Sequence, residues 1–400
     1  MLPFLLLFFL QSDPIAEGRK ALEANNYEVA AAQFQRAVDA DAKDWASRFH
    51  LGLSLSMLKK DTEAIAQYRK VLEDQPGLYE AQLNLGIVLT RHNQSAEAVK
   101  WLQAAAALKP KEYRAALYLG DALAGVADWP NAEAAYRKVL ELKPDSAEAA
   151  VGVARSLVRQ NRLNDAAPFY RQAAKDAEYR RALLELAPLL EQAKLGGEAI
   201  EIYRQFPEDP IARERLGELL LESGQAKDAI PELELAYKSA PTNANRVALA
   251  TAYLRTKEPA KALPLLQQAV NAQPDTLDLR LYYGRALRDQ RSFPAAAREF
   301  LKATQLKPDS KDAWSELSGV LILLESYPQA LAALDKTRAL GGEESAYWYF
   351  RAIILDRTKD YKQALPSYEK FLSLSNNKNP DEEFKARQRI RVIKKELEKR

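Results

Sequence analysis

The sequence predicts an all-α solenoid in which about eleven helix-turn-helix units stack side by side and a final helix closes the C-terminal end. Three observations carry this expectation. A small residue recurs at Gly18, Gly52, Gly86, Gly120, Ala154, Ala187, Gly217, Ala250, Gly284, Ser318 and Ala352, in steps of 34 residues four times, then 33, 30 and 33, then 34 three times. An alanine at Ala30, Ala64, Ala98, Ala132, Ala166, Ala199, Ala229, Ala262, Ala296, Ala330 and Ala364 shifts by the same irregular amounts. Within each period, apolar residues return at i, i+3, i+4 and i+7 on both sides of a polar break, which is the pattern of two short helices. A period of this length marks a repeat array, in which no unit can bury its apolar stripe alone.

Composition agrees with a folded helical chain. Of 400 residues, 47% are apolar and 28% charged, which argues against disorder. A net charge of +3 supplies no global field that would point to nucleic acid or an acidic membrane. The absence of cysteine excludes disulfides and thiolate metal sites without choosing a redox compartment.

Residues 1–12 form a separate segment. Met1–Leu10, MLPFLLLFFL, is too short for a membrane span, which takes roughly 20 helical residues, but resembles the apolar region of a secretory leader. No Lys or Arg precedes it, and Gln11-Ser12-Asp13 is a poor cleavage site, so the alternative is a leader folded onto the first repeat. Export to the periplasm or cell envelope is the expectation, with a cytoplasmic location as the alternative.

The repeats occupy residues 13–376. Asp13-Pro14 is a strong helix start, since Asp accepts from unpaired amides and Pro is tolerated at the first helical position. Pro76, Pro110, Pro144, Pro241, Pro274 and Pro308 follow second helices and stop them. Residues 177–210 break the pattern: Pro188 sits inside a first helix, and Phe206-Pro207-Glu208-Asp209-Pro210 shortens the next connection, so a change of curvature is expected there. Pro168, Pro231, Pro264 and Pro366 stand two residues after the alanine marker, which predicts second helices that begin late or bend. Gly341-Gly342 reads as a left-handed helix stop. Residues 377–400 read as a charged capping helix whose Phe384, Ile390, Ile393 and Leu397 lie against repeat eleven. Tyr68, Leu102, Tyr136, Tyr170, Tyr203, Phe300 and Tyr368 are expected to fill space toward the next unit, opposite the small residues.

Leu119-Gly120, Leu123, Ala132, Tyr136 and Pro144, with Trp314 and Trp348, resemble the motif of the tetratricopeptide repeat (TPR) family. The resemblance covers nearly the whole chain. It implies a right-handed superhelix whose concave groove, lined by first helices, binds proteins or peptides. Some members clamp a C-terminal carboxylate with Lys, Asn and Arg; the matching positions here read Ile15, Arg19, His50, Glu80 and Asn84, and Glu80 would repel an anion.

Helical phase places Phe49, His50, Leu53 and Met57, then Leu83, Asn84 and Ile87, then Leu117, Tyr118 and Asp121 on the groove face. Later repeats add Arg155 and Arg159, Tyr282, Arg285 and Arg288, and Tyr349, Phe350 and Ile353. Such an apolar strip with polar handles suits an amphipathic helix or extended peptide, while the same residues could instead pack on one another. The expected role is a non-catalytic scaffold or adaptor for protein or peptide partners, without cofactor, metal or small-molecule substrate, in cell-envelope assembly or export.

Catalysis lacks its parts. With no cysteine and only His50 and His92, nucleophilic dyads and zinc sites have almost no material, and neither GxxxxGK[ST] nor GxGxxG occurs. One alternative, a substrate-gripping arm of a glycosyltransferase-like enzyme, meets the difficulty that the array consumes nearly every residue. Another is binding of nucleic acid or an anionic surface by the last helix. Residues 378–400 hold nine Lys/Arg against five Asp/Glu, a net of +4, but the two signs interleave at helical spacing as on a solvated end helix.

Overall fold

The computed structural model describes residues 13–341 and 344–398, so the apolar leader 1–12 and Gly342 lie outside the described residues. These residues form helices and no strand. The chain divides into two compact bodies at Ile202 and Tyr203. The first holds repeats one to six; the second holds repeats seven to eleven and the capping helix Pro380–Glu398.

Each repeat is a hairpin of two antiparallel helices, and its turn has the same construction throughout. Seven residues after the small marker the backbone turns left-handed: Asn25, Lys59, Asn93, Ala127, Asn161, Lys194, Lys257, Arg291, Glu325 and Lys359 have φ between 55° and 63°, and Gly224 has 83°. The next amide then reaches back to close the first helix, as in Asn26 N to Ala21 O at 2.8 Å, Gln94 N to Leu89 O at 2.8 Å and Asp360 N to Leu355 O at 2.8 Å. This is a Schellman closure, which satisfies carbonyls that a helix end leaves unpaired. Side-chain caps start several helices; Asp44 accepts from Ala46 N and Ser47 N, and Asp209 from Ile211 N and Ala212 N, all at 3.1 Å.

The hairpin closes on the small marker. Sixteen residues after each marker glycine stands a large side chain whose atoms occupy the place a methyl group would take. A Cβ at Gly18 would lie 2.9 Å from the Phe34 ring, at Gly120 2.6 Å from Tyr136, and at Gly284 2.5 Å from Phe300. The large residue therefore packs against the small marker of its own hairpin, whereas the sequence reading placed it toward the next unit. Tyr136 does both, because a Cβ at Gly152 of the following repeat would also lie 2.6 Å from its ring. Ala30, Phe34, Ala64, Tyr68, Ala98, Leu102 and Phe300 have no exposed surface.

A further device joins each second helix to the next repeat. The residue four before the small marker donates its side chain to a carbonyl at the preceding helix end: Gln82 Nε2 to Pro76 O at 2.7 Å, Arg246 Nη2 to Pro241 O at 3.0 Å, Arg280 Nε to Pro274 O at 2.6 Å and Trp314 Nε1 to Pro308 O at 2.8 Å. Arg48 does the same to Ala42 O at 2.7 Å. Three side-chain chemistries thus satisfy one orphan acceptor.

Prolines inside the second helices delay nothing. The helices Leu163–Ala173, Ala226–Ser239, Pro259–Ala272 and Tyr361–Ser375 begin three residues before their alanine markers, as Asp61–Asp74 does. Pro168, Pro231, Pro264 and Pro366 are all exposed, so the missing donor lies on the solvent side and costs little.

In repeat six, the first helix opens with a 3-10 turn, Arg180–Ala182, and continues as Leu183–Gln192, so Pro188 becomes its sixth α-helical residue. The second helix, Gly196–Tyr203, has only 8 residues, since Pro207 and Pro210 follow closely. Gly341 turns with φ 106°, as a helix stop requires.

The capping helix buries Ala386 and Ile393, with Ile390 and Leu397 packed on the same cluster. Phe384 is 64% exposed and does not join it, a correction to the helical-phase expectation. Two charge-assisted bonds also hold the helix, from Arg389 Nε and Nη2 to the Asp356 carboxylate at 2.7 and 2.6 Å, and the Tyr368 hydroxyl donates to the same carboxylate at 3.2 Å. Lys394 pairs with Glu369 at 3.2 Å and Arg387 with Glu383 at 3.0 Å, so part of this helix's positive charge is spent on internal pairs.

Because Tyr136 is held between Gly120 and Gly152, its ring has nowhere to move. The substitution Gly120→Ala is expected to destabilise the first body by roughly 1–3 kcal/mol, the usual cost of overpacking. A urea midpoint equal to that of the unmodified chain would contradict this packing account.

Candidate functional site

The first-helix faces of repeats two to four are more closed than helical phase suggests. Leu83 and Leu117 retain only 3% and 5% of their surface and belong to the core, correcting their placement in the groove. Phe49, Ile87 and Tyr118 are half-buried against that core. Asn84 donates to the Glu80 carbonyl at 2.8 Å, and Glu80 itself pairs with Lys109 at 2.7 Å. Leu53 is half-buried and Met57 is 48% exposed.

His50 is part of an aromatic stack. Its ring lies 5.1 Å from Phe34 and meets Phe49 edge-on at 5.5 Å, and its buried Nδ1 has no hydrogen-bond partner. Burial holds the imidazole below its ordinary value, and the charge of Arg19 adds to this against the opposing pull of Asp44.

Repeats four to six are open. A cavity of about 1130 Å³ is lined by Asp121 and Tyr136 of repeat four, Glu148, Val151, Gly152, Arg155 and Arg159 of repeat five, and Tyr179, Arg181 and Glu185 at the entry to repeat six. It thus brings together Asp121, Arg155 and Arg159 from the sequence-derived set, and adds Tyr136, Glu148, Tyr179 and Glu185, which sequence reasoning missed. Spacing carried a signal for one of these: Arg155 and Glu185 stand nearly one period apart, as do Arg69 and Glu97, which also pair, at 2.7 Å.

The Tyr136 hydroxyl donates to Asp121 Oδ1 at 2.6 Å. Arg155 grips Glu185 with Nε to Oε2 at 2.9 Å and Nη2 to Oε1 at 2.6 Å, a two-pronged pair. The Tyr170 hydroxyl donates to the same carboxylate at 3.4 Å. Arg159 lies over the Trp129 ring, 5.5 Å from its centre.

These groups do not titrate alike. Burial pushes the Asp121 carboxyl above the usual range, opposed by the Tyr136 hydrogen bond and the Arg155 charge. Burial also raises Glu148, and the neighbouring Asp121 charge adds to it, against Lys143. The bonds from Arg155 hold Glu185 below its usual range. Burial, with the Glu185 charge, pushes the Tyr170 hydroxyl up to about 12.

Other residues of the sequence-derived set belong to the second body. Tyr282 donates to Thr251 Oγ1 at 2.9 Å, Arg285 pairs with Glu316 at 2.6 Å, and Arg288 also pairs with Glu316. Tyr349 contacts Phe371 at 4.8 Å and Phe350 at 5.8 Å, and Phe350 is 39% exposed. Among the described residues, no group of three or more His, Cys, Asp or Glu side chains converges to hold a metal ion. No helix among them is long and apolar enough to cross a membrane.

Stacked helical hairpins with a charged and aromatic cleft on the first-helix face define a class, the helical-repeat scaffolds. The tetratricopeptide repeat model matches residues 15–79, 62–113, 83–147, 117–179, 154–206, 178–244, 247–312 and 324–379, and the chain belongs to that family. A segment is 33% identical over 100 residues to the Vi polysaccharide export protein VexE of Salmonella typhi, spanning 24% of this chain and 15% of VexE. Among solved structures, MamA MSR-1 C2 aligns with 40% of this chain and 93% of its own at 21% identity and a TM-score of 0.39. The MamA RS-1 ArsTM double mutant aligns with 42% of this chain and 94% of its own at 22% identity and a TM-score of 0.40.

The state of His50 has a pH consequence. A histidine whose pKa is lower folded than unfolded leaves the folded state short of a proton, so stability falls as pH drops through the unfolded value of 6.5 toward the lower folded one. The His50→Phe variant keeps the stack without the titration. The difference in urea midpoint between the two proteins is expected to move in favour of the variant between pH 7.5 and 5.5; a difference independent of pH contradicts the account.

Proposed function

We propose that the protein is a non-catalytic scaffold that holds a segment of a protein partner along its first-helix face, with the cleft of repeats four to six as the principal grip. The observation that carries this reading is the cleft itself: three successive repeats converge on a cavity large enough for several side chains, lined by tyrosines and charged groups. Arginine and tyrosine are the residues that most often anchor protein interfaces. The competing enzymatic reading has less support, since repeats occupy residues 15–379 nearly without a gap.

A photo-crosslinking side chain at Val158, on the cleft wall, is expected to trap a discrete protein, whereas the same group at Glu28, on the second helix of repeat one, traps none. Equal trapping at both sites, or none at Val158, counts against the proposal.

An envelope setting is supported by the leader-like Met1–Leu10 and by the short likeness to a polysaccharide export protein. Fusing alkaline phosphatase after residue 40 is expected to give active enzyme in a bacterial reporter strain, because that enzyme matures only outside the cytoplasm. An inactive, stably produced fusion argues for the cytoplasm.

A further inference from the structure

We infer that the cleft of repeats four to six selects a basic side chain, lysine or arginine, of the protein partner. This rests on the cleft being the protein-binding site proposed above and adds the chemistry of its occupant.

The cleft offers an apolar wall beside its charges. Two residues before the small marker, repeat two carries His50, whose ring covers Phe34 at 5.1 Å, and repeat six carries Glu185, which accepts from the Tyr170 hydroxyl at 3.4 Å. At the same position repeat five has Gly152, and the Tyr136 ring takes the place of the missing side chain, since a Cβ there would lie 2.6 Å from the ring. Tyr136, packed on that backbone, lines the cavity, as does Val151. These surfaces suit the aliphatic stem of a long side chain.

The charge comes from what the cleft leaves unpaired. Its lining holds the carboxylates Asp121, Glu148, Glu178 and Glu185 against the guanidinium groups Arg155, Arg159 and Arg181. Arg155 is committed to Glu185 by two bonds, and Arg159 lies on Trp129. Asp121 accepts only the neutral Tyr136 hydroxyl, and Glu148 accepts no hydrogen bond among the described residues. Lys143, the cation that acts on Glu148, is placed over the Tyr113 ring at 5.3 Å. Asp121 and Glu148 thus repel each other across an open cleft, and an ammonium or guanidinium group between them would relieve that repulsion. The whole chain has a net charge of +3, so attraction of a cation here is local.

The test uses the full chain and fluorescein-labelled decapeptides of alternating Ala-Lys, Ala-Gln and Ala-Glu. The Ala-Lys peptide is expected to saturate one site, to bind at least tenfold more tightly than the others, and to lose at least tenfold in affinity with Asp121→Asn plus Glu148→Gln. Neutralising two carboxylates elsewhere, with Glu73→Gln plus Asp74→Asn, is expected to leave binding unchanged. Asn retains an acceptor for Tyr136, and circular dichroism checks that each variant is folded. Absence of saturable Ala-Lys binding, equal binding of Ala-Gln, or indifference to the cleft double variant overturns the inference. If Val158 crosslinks still form in the last two cases, the cleft remains a protein-binding site and only its charge preference falls. Competition by equimolar spermidine would make the occupant a free polyamine and would also overturn the assignment to a protein side chain.

Discussion

The contact between a residue with almost no side chain and a bulky one sixteen positions later is the constraint from which the rest of this structure follows. Where Gly18 meets Phe34, or Gly120 meets Tyr136, the two helices of a hairpin approach so closely that a single methyl group would collide with the ring. That approach buries the alanine stripe of the second helix completely, since Ala30, Ala64, Ala98 and Ala132 have no exposed surface. It also sets the length of the first helix, because the left-handed residue that ends it falls seven positions after the small one in every repeat. Stability is therefore distributed along the chain as a series of similar local solutions, each completed by its neighbour.

Polar chemistry repeats with the same period. Side chains as different as Gln82, Arg280 and Trp314 each donate to the carbonyl where the previous hairpin ends, because that acceptor is left over by any helix stopped at a proline. Ion pairs follow suit: Arg91 with Asp61, Lys109 with Glu80 and Arg155 with Glu185 all bridge residues nearly one period apart. Most of these pairs are exposed and each adds little to stability. Their effect on function is larger, since a charge engaged across a repeat boundary is unavailable to a partner. In repeats four to six the exceptions, Asp121 and Glu148, are what give the cleft its character.

Much of this was legible in advance, and what was missed has identifiable causes. Marker spacing revealed every hairpin because backbone geometry forces a fixed period on small residues. Helical phase, by contrast, places a residue on a face without saying how far the neighbouring hairpin covers it. Leu83 and Leu117 lie on the expected face and are nevertheless buried by adjoining first helices, while Phe384 lies on the apolar side of its helix and is exposed. The late start read from Pro168, Pro231, Pro264 and Pro366 does not occur for a related reason: their missing donor is harmless on the solvent side, and which side that is depends on packing.

By itself, the sequence determined the all-α class, the number of repeats and the small-against-large pairing, since each depends on contacts within some 34 residues of chain. Only the tertiary structure decided where the first-helix face is sealed and where it opens. The opening depends on residues from three repeats, Tyr136, Gly152 and Glu185 among them, and none of these carries a signal in its own unit that it will border empty space. Local periodicity specifies an element; a cavity belongs to the relation between elements and takes form only when they are stacked.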